Sequence, residues 1–373
     1  MEVIIAGLNA IPLNHARPAD PSAQSATVHD GHVRAAPLMG LPELLRELGQ
    51  DPAAVFAQAG FDPGLLGDPE NAVSFNAGGR LLATCVSVTD CPHFGLLLGE
   101  RTGPECLGQI GELVAHSPDL GQALRNVVRH LHLHDRGAVP TLSVGEGLAR
   151  FGYTVYQPGV AATAQIYDLA AAITCNLVRA LCSPGWVPEA VLLSHAAPAD
   201  LLVYRRVFRV RPRFDAEQTA VVFPAALLGR RLPDANPLRY RELEAQIAAL
   251  AASTHSDLAA KVRRVTCNLL LGGEGSLESV AEHFSLHPRT LNRRLEGQGT
   301  SYRKLREECR QALAGQFLRD TDLPVAEIAA RLVYADSAAF THAFRRWNGC
   351  TPSAWRANQR TRVQAATAPS VAN

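Results

Sequence analysis

Leu277-Glu278-Ser279-Val280-Ala281-Glu282-His283-Phe284 and, 48 residues later, Val325-Ala326-Glu327-Ile328-Ala329-Ala330-Arg331-Leu332 are the two segments that decide the fold. In the first, Leu277, Val280, Ala281 and Phe284 fall at i, i+3, i+4 and i+7; in the second, Val325, Ile328, Ala329 and Leu332 do the same. That spacing lines one face of an α-helix with apolar side chains. A short break follows each: Ser285-Leu286-His287 in the first, and a turn one residue longer in the second, where Tyr334 stands at the offset of Leu286. A second helix is predicted after each break. Pro288 suits the first turn of one, where its missing N–H is not needed. Asp336 or Ser337 can cap the other by accepting a free backbone N–H.

These second helices each have a dry side and a polar side. Leu291 and Leu295 point inward, while Arg289, Asn292, Arg293 and Glu296 fall on a different face. Arg can bind guanine bidentately and Asn can bind adenine in the same way. Phe340, Phe344 and Trp347 form the other inner stripe, with Ser337, Ala338, Thr341, His342 and Arg345 outside. The second outer face is poorer in base-specific side chains, so the first unit is expected to carry more of the sequence specificity. Ser301 to Leu318 reads as a connecting helix, which at about 1.5 Å per residue spans roughly 27 Å. Recognition helices in successive major grooves on one DNA face sit about 34 Å apart. A stiff rod with the units offset about its ends suits that spacing; otherwise the DNA must bend.

The surrounding chain agrees with this reading. It has 373 residues, 47% of them apolar and 19% charged, enough for two or three globular domains. The net charge of +1 conceals an asymmetry: from Ser253 onward 17 Lys+Arg face 11 Asp+Glu, a net of +6, and the remaining 19 against 24 leave residues 1–252 at −5. A basic tail on an acidic body suggests that only the tail meets a polyanion. No apolar run approaches the roughly 18 residues of a membrane span. The start, Met1-Glu2-Val3-Ile4-Ile5, lacks the basic residues of a signal peptide. The eight cysteines form no Cys-x-x-Cys pair and read as reduced, mostly buried thiols of a cytoplasmic, nucleoid-associated protein with no membrane partner.

Five stretches follow: a loose arm at 1–36, an α+β sensing or dimerisation domain at 37–225, a helical linker at 226–255, a DNA-binding domain at 256–360 and a disordered tail at 361–373. The linker is expected to end in the boundary Ser253-Thr254-His255-Ser256. Leu41, Leu44, Leu45 and Leu48 give a helical stripe ending at Gly49. Ala123 to Leu133 and Ala161 to Leu181 read as helices. Leu142 to Val144 and Ala149 to Tyr156 read as a hairpin around Gly145-Glu146-Gly147, and Ala190 to Leu193 and Thr219 to Phe223 as short strands. The fold class is therefore an α+β N-terminal sensor domain followed by an all-α C-terminal domain, with two helix-turn-helix units joined by a long helix.

At this point the chain resembles a known family. Leu277 to Ala281, Arg289-Thr290-Leu291-Asn292-Arg293-Arg294-Leu295, Glu327-Ile328-Ala329, Ala339 to Trp347 and Thr351-Pro352-Ser353 are similar to the AraC/XylS transcriptional regulators. Upstream, Asp90 to Leu96, Leu120 to Leu124 and Phe223 to Leu228 resemble the arabinose-binding-type N-terminal domain of one branch of that family. The resemblance implies promoter DNA as partner, with Arg289, Thr290, Asn292 and Arg293 in one groove and Ser337, Ala338, Thr341 and His342 in the next, and Arg345 and Arg346 also on the DNA side. It implies a small-molecule effector or dimerisation at the N-terminal domain, a homodimer as one state, and activation through RNA polymerase. The effector could be a fatty acid, an amino-acid derivative, a sugar or a nucleotide signal. The family often has glycine where Ser285 and Val333 stand. Valine at a positive φ is strained, so Val333 is expected to keep a negative φ or to shift the second unit.

Other motifs read more plainly. His130, His132 and His134 would splay at a helix end, in a surface or helix-terminal role, rather than gather a metal. Ser301-Tyr302-Arg303-Lys304 lacks the partner motifs of a serine–lysine hydrolase and reads as a helix start, with Ser301 or Thr300 as cap. Leu271-Gly272-Gly273-Glu274-Gly275 is a loop, without the strand or the Lys-Ser/Thr of a phosphate loop. Arg294, Arg303, Lys304, Arg306 and Arg356 are phosphate contacts or solvated charges. No catalytic residue, metal site or cofactor is expected. Two other readings stand beside the regulator: an enzyme domain on a DNA-binding tail, and a helical protein-interaction module.

Overall fold

The computed structural model describes residues 28–29, 31–253, 258–271, 273–284 and 286–367. It has a mixed α/β N-terminal region and a helical C-terminal region. The N-terminal region contains strands β1 (His32–Arg34), β2 (Ala72–Ser74), β3 (Ala138–Gly145), β4 (Leu148–Val155), β5 (Ala190–Leu192) and β6 (Ala220–Pro224). Its helices are α1 (Leu41–Glu47), α2 (Pro52–Ala59), α3 (Phe75–Thr89), α4 (Phe94–Glu100), α5 (Gln109–Ala115), α6 (Leu120–His130), α7 (Thr163–Cys182), α8 (Leu202–Phe208) and α9 (Pro237–Ser253). Strands β3, β4, β6 and β5, in that order, form an antiparallel sheet, and β1 pairs separately with β2. The β3–β4 hairpin closes on Glu146-Gly147, both at positive φ, the two-residue turn whose twist matches the strands. Helix α7 is the central element. Gly95 and Gly99 on α4 let the two helices meet backbone to backbone, because a Cβ there would lie 2.1 Å from the Gln165 carbonyl oxygen and 2.6 Å from that of Leu169.

The C-terminal region is α10 (Leu258–Leu271), α11 (Leu277–His283), α12 (Pro288–Glu296), α13 (Tyr302–Asp320), α14 (Val325–Arg331), α15 (Ser337–Asn348) and α16 (Pro352–Thr367). It has two small apolar cores, and α10 and α13 supply both. Ala259, Val262 and Val265 of α10 with Tyr302 and Leu305 of α13 close over Val280, Ala281, Leu291 and Leu295 of the first helix pair. One and two turns further on, Cys267, Leu270, Leu313 and Phe317 close over Ile328, Ala329, Phe340 and Phe344 of the second. Every apolar residue predicted at the i+3 and i+4 positions is buried, and so are the inward residues of α12 and α15 except the half-buried Trp347. At about 1.5 Å per residue the 19-residue α13 spans about 28 Å.

Several expectations are corrected. Order begins before residue 37, because β1 pairs with β2 through Val33 opposite Val73. Helix α9 is no spacer: Leu243 and Ile247 are buried in the sensor core and the Tyr240 hydroxyl reaches Asn126 and Gln122. Helix α10 is an additional element. Helix α16 carries the chain to Thr367, through the first part of the expected tail; residues 1–27, 254–257, 368–373 and Ser285 lie outside the described residues. His130, His132 and His134 do sit at a helix end, where α6 runs into a 3-10 turn at Leu131–Leu133, but His130 and His132 are half-buried and His134 is buried rather than on the surface. All eight cysteines are free thiols, seven of them buried.

Val333 is the sharpest correction. It sits at φ +58. The amide of Val333 donates to the Ala330 carbonyl and that of Tyr334 to the Ala329 carbonyl, a Schellman ending that requires the left-handed conformation here. Arg310 holds it in place, donating to the Val333 carbonyl while its guanidinium stacks 4.3 Å from the Tyr334 ring centroid. The valine side chain is 39% exposed, so it gains little packing in return. Relief of the left-handed strain, about 1–2 kcal/mol, less the glycine entropy of about 0.5–1 kcal/mol, predicts that Val333→Gly raises stability by roughly 0.5–1 kcal/mol in urea denaturation. A loss of stability would show that the valine side chain is held by packing.

Candidate nucleic-acid interface

The first outer face is built on α12. His287 caps the helix, its Nδ1 accepting from the Arg289 amide at 3.3 Å, and Pro288 occupies the first turn. Arg289 and Arg293 are exposed and have no ion-pair partner among the described residues; Thr290 is half-buried beside them. Asn292 differs from the simple expectation. Its Oδ1 accepts from the Tyr302 amide at 3.3 Å and its Nδ2 donates to Glu296 at 2.8 Å. A bidentate adenine contact needs both of those atoms, so in this conformation Asn292 is a joint between α12 and the start of α13. Ser301, not Thr300, caps α13. The Tyr302 hydroxyl donates to the Gly275 carbonyl at 2.6 Å, which fits a structural role for this motif rather than a hydrolytic one.

The second outer face is built on α15. Asp336 caps it, accepting from the Ala339 amide at 2.7 Å. Ser337, Ala338, His342 and Arg345 are exposed, and Thr341 is half-buried with its hydroxyl donating to the Ser337 carbonyl at 2.7 Å. Arg346 pairs with Glu307 on α13, and the Trp347 indole N–H donates to the same carboxylate at 3.0 Å. That carboxylate is held below the usual range first by the Trp347 bond and then by Arg346. Arg346 therefore fastens α15 to α13. Arg356 is also spoken for, donating to the carbonyls of Leu318 and Leu323. Exposed Arg294, Arg303 and Lys304 flank the two faces.

Behind these faces, α13 rests on the sensor domain. Gln316 donates to the Tyr167 hydroxyl and, at 3.2 Å, to Asp320, while Arg319 donates to the Val160 carbonyl at 3.3 Å. Arg331 of α14 pairs with Glu217. The Asp320 carboxyl is raised to about 6, chiefly by burial, against the opposing pull of Arg319, Gln316 and His195. Sequence reasoning missed this interface; Gln316 and Asp320, polar residues in line with the buried Leu313 and Phe317 on α13, were its trace.

Within the sensor domain a cavity of about 120 Å³ lies between α3, α7 and the β3–β4 hairpin. Ile166, Ala170 and Ile173 of α7 face it, while the neighbouring Tyr167 meets Gln316. A separate buried network joins Asp168 to the Tyr204 hydroxyl at 2.6 Å and to His195 Nε2 at 3.0 Å. His195 Nδ1 lies 3.1 Å from the Ala196 carbonyl oxygen. Burial pulls that imidazole down, but the bond and charge of Asp168 and the Ala196 carbonyl outweigh it and the net shift is upward. Both ring nitrogens of His195 thus face acceptor oxygens, and the imidazole ties Asp168 to the Ala196 carbonyl.

Residues 49–232 match the family model described as the arabinose-binding domain of the AraC transcription regulator, N-terminal, and residues 280–358 match a helix-turn-helix domain model. The chain is 29% identical over 327 residues to the HTH-type transcriptional regulator VirS of Mycobacterium tuberculosis, covering 87% of this chain and 96% of that protein. It is 29% identical over 321 residues to the ornithine utilization regulator of Pseudomonas aeruginosa, covering 85% and 94%. Among solved structures, the transcriptional regulator CdpR from Pseudomonas aeruginosa aligns over 84% of this chain and 97% of that one, at 23% identity and a TM-score of 0.41.

The interface carries a pH signature. A carboxyl raised from 3.8 to about 6 binds more protons folded than unfolded, so it lowers stability progressively as pH rises from about 4 to 6 and fully above that. Asp320→Asn mimics the protonated form and can keep the Gln316 bond. It should raise stability at pH 8 by about 1–3 kcal/mol and change little at pH 4.5, read as the difference in melting temperature at the two values. An equal effect at both would show that Asp320 is not titrating.

Proposed function

We propose, for a chain that belongs to the AraC/XylS-type helix-turn-helix transcriptional regulators with an arabinose-binding-type N-terminal domain, that α11–α12 and α14–α15 are two DNA-reading units joined by α13. The protein is a DNA-binding transcriptional regulator with an N-terminal ligand-binding domain. The observation that carries the finer reading is the pair of exposed polar faces on α12 and α15, each backed by its own small core and both cores built on the same two helices. Arg289 and Arg293, with Thr290 beside them, are the base readers of the first unit. Asn292 positions α12 and reads a base only by exchanging its bonds to Tyr302 and Glu296. Ser337, Ala338, Thr341 and His342 approach the second groove, with Arg345 on phosphate and Arg346 held back by Glu307.

Control runs through α7. That helix lines the cavity through Ile166, Ala170 and Ile173 and meets α13 through Tyr167, so an effector that moves α7 also moves the platform of both reading units. A ligand shifts such an equilibrium only by its difference in affinity for the two arrangements. The protein works in the cytoplasm on promoter DNA, as an activator that contacts RNA polymerase, and as a homodimer where the operator holds two half-sites. No catalysis is required of it.

A mobility-shift assay on the gene's own upstream region tests this reading. Binding should weaken steeply with salt, as it does when several phosphates are neutralised. Arg293→Ala should cost about 1–3 kcal/mol and relax specificity at one base position. Arg345→Ala should instead weaken all sequences alike and lower the salt slope by about one phosphate contact. Binding by the full chain that ignores both sequence and salt contradicts the proposal.

A further inference from the structure

The cavity in the sensor domain has a chemistry of its own. Its wall is mostly aliphatic and aromatic, contributed by α3, α7, β3, β4 and the loops before α1 and α5. Its polar residues are few: Arg34, His134, Asp135, Tyr153 and Thr174. Three of them are already engaged within the protein. Arg34 pairs with Glu70 and donates to the Leu133 carbonyl at 3.2 Å. Asp135 accepts from the amides of Gly137 and Ala138 at 2.8 and 3.0 Å and from the Tyr153 hydroxyl at 2.5 Å. His134 is different. It is 3% exposed and its Nδ1 has no hydrogen-bond partner. Burial, then the charge of Arg34, pulls its imidazole down to about 3, so the ring is neutral and offers one donor and one acceptor.

We infer that this cavity is a binding site for an uncharged, largely apolar molecule bearing one or two hydrogen-bonding atoms, with His134 as the group that receives its polar end. The inference rests on the reading of the N-terminal region as ligand-binding and adds the class of ligand. Size follows from the volume. One water needs about 10–15 Å³ on the same scale, so about 120 Å³ admits a molecule on the order of ten non-hydrogen atoms. A sugar carries a hydroxyl on nearly every carbon, and each one buried without a partner is costly. Here only His134 and Thr174 remain to receive them. An amino acid such as ornithine brings charges of both signs, and a fatty acid a carboxylate. The charged side chains on the wall, Arg34 and Asp135, are already neutralised or hydrogen-bonded by protein groups. A neutral alcohol, ketone, ester or lactone with a short aliphatic or aromatic body satisfies both the wall and the histidine.

Two positions allow the cavity to be filled without touching His134. Ala170 lies on its α7 wall, and Gly78 lies on its α3 wall, where a Cβ would meet only Val73 and Leu38 at ordinary distances of 3.8 and 3.9 Å. The experiment is isothermal titration of the full chain with 1-octanol, octanoate, L-arabinose and L-ornithine, alongside binding to the upstream DNA. We expect saturable binding of 1-octanol, at least about tenfold weaker binding of octanoate, and no binding of arabinose or ornithine. Ala170→Phe and Gly78→Leu should each abolish 1-octanol binding while DNA binding persists. His134→Phe should weaken it roughly five- to tenfold, the worth of one hydrogen bond. Binding of arabinose, ornithine or octanoate in preference to 1-octanol overturns the inference, as does binding by none of the four; these comparisons need no variant. Undiminished 1-octanol binding in both filled variants overturns it too. Each of these outcomes leaves DNA binding intact, whereas failure of the wild-type chain to bind DNA sinks the regulator reading instead.

Discussion

The packing of α10 against α13 is the contact on which the C-terminal half depends. These two helices are the only elements that contribute buried residues to both small cores among the described residues. Neither helix pair could stand alone: each offers only a handful of apolar residues, too few to offset the cost of ordering its backbone. Ala259, Val262 and Val265 complete one core, and Cys267 and Leu270, one to three turns further along the same helix, complete the other. The separation and relative rotation of the exposed polar faces of α12 and α15 are thus set by a two-helix spine and not by a loop. Secondary fastenings lock each pair to it. Asn292 ties α12 to the Tyr302 amide, and Glu307 binds both Arg346 and Trp347 of α15.

The same spine carries the connection to the sensor. Helix α13 buries Gln316 against Tyr167 and holds Asp320 beside it, so its C-terminal part is committed to the N-terminal domain as well as to the second helix pair. Alternation along β4 places cavity and interface on its two faces, since Tyr153 lines the cavity while its neighbour Thr154 lies at the α13 interface, and on α7 the cavity-lining Ile166 is followed by Tyr167, which meets Gln316. Coupling in a well-packed interior needs no more than a small shift of such an element, because cores are close-packed and transmit displacement. The raised carboxyls of Asp135 and Asp320, one on each side, mark where the protein accepts a buried charge in exchange for position.

Much of this was legible before any coordinates. The two helix pairs, their caps and their dry faces follow from a 3.6-residue period interrupted at fixed offsets, a signal strong enough to survive on a single chain. The polar faces of α12 and α15 were legible as residue types at helical spacing; of these residues Arg289, Arg293, Ser337, Ala338, His342 and Arg345 are exposed, while Asn292 and Arg346 are tied to protein groups. What escaped was tertiary. Helix α10 carries the stripe Leu258, Val262, Val265 and Leu269, but it runs into a glycine-rich loop, and the cap-type residues before it, Ser256 and Asp257, adjoin a stretch that reads as a domain boundary. Asn292 looked like a base reader because its partner, the Tyr302 amide, lies ten residues away. Val333 was misjudged because local φ preference was overruled by Arg310, which arrives from a helix 23 residues earlier. The cavity left no motif at all; apolar residues from many separate elements make it, and only folding brings them together.

The central claim is that one chain presents two reading faces at a fixed spacing set by α10 and α13. Hydroxyl-radical footprinting of the full chain on its upstream DNA measures this most directly. The account predicts two protected patches on one face of the duplex, about 10–10.5 base pairs apart, with Arg293→Ala erasing one and His342→Ala thinning the other. A single patch, or two whose spacing varies from one operator to the next, would contradict it.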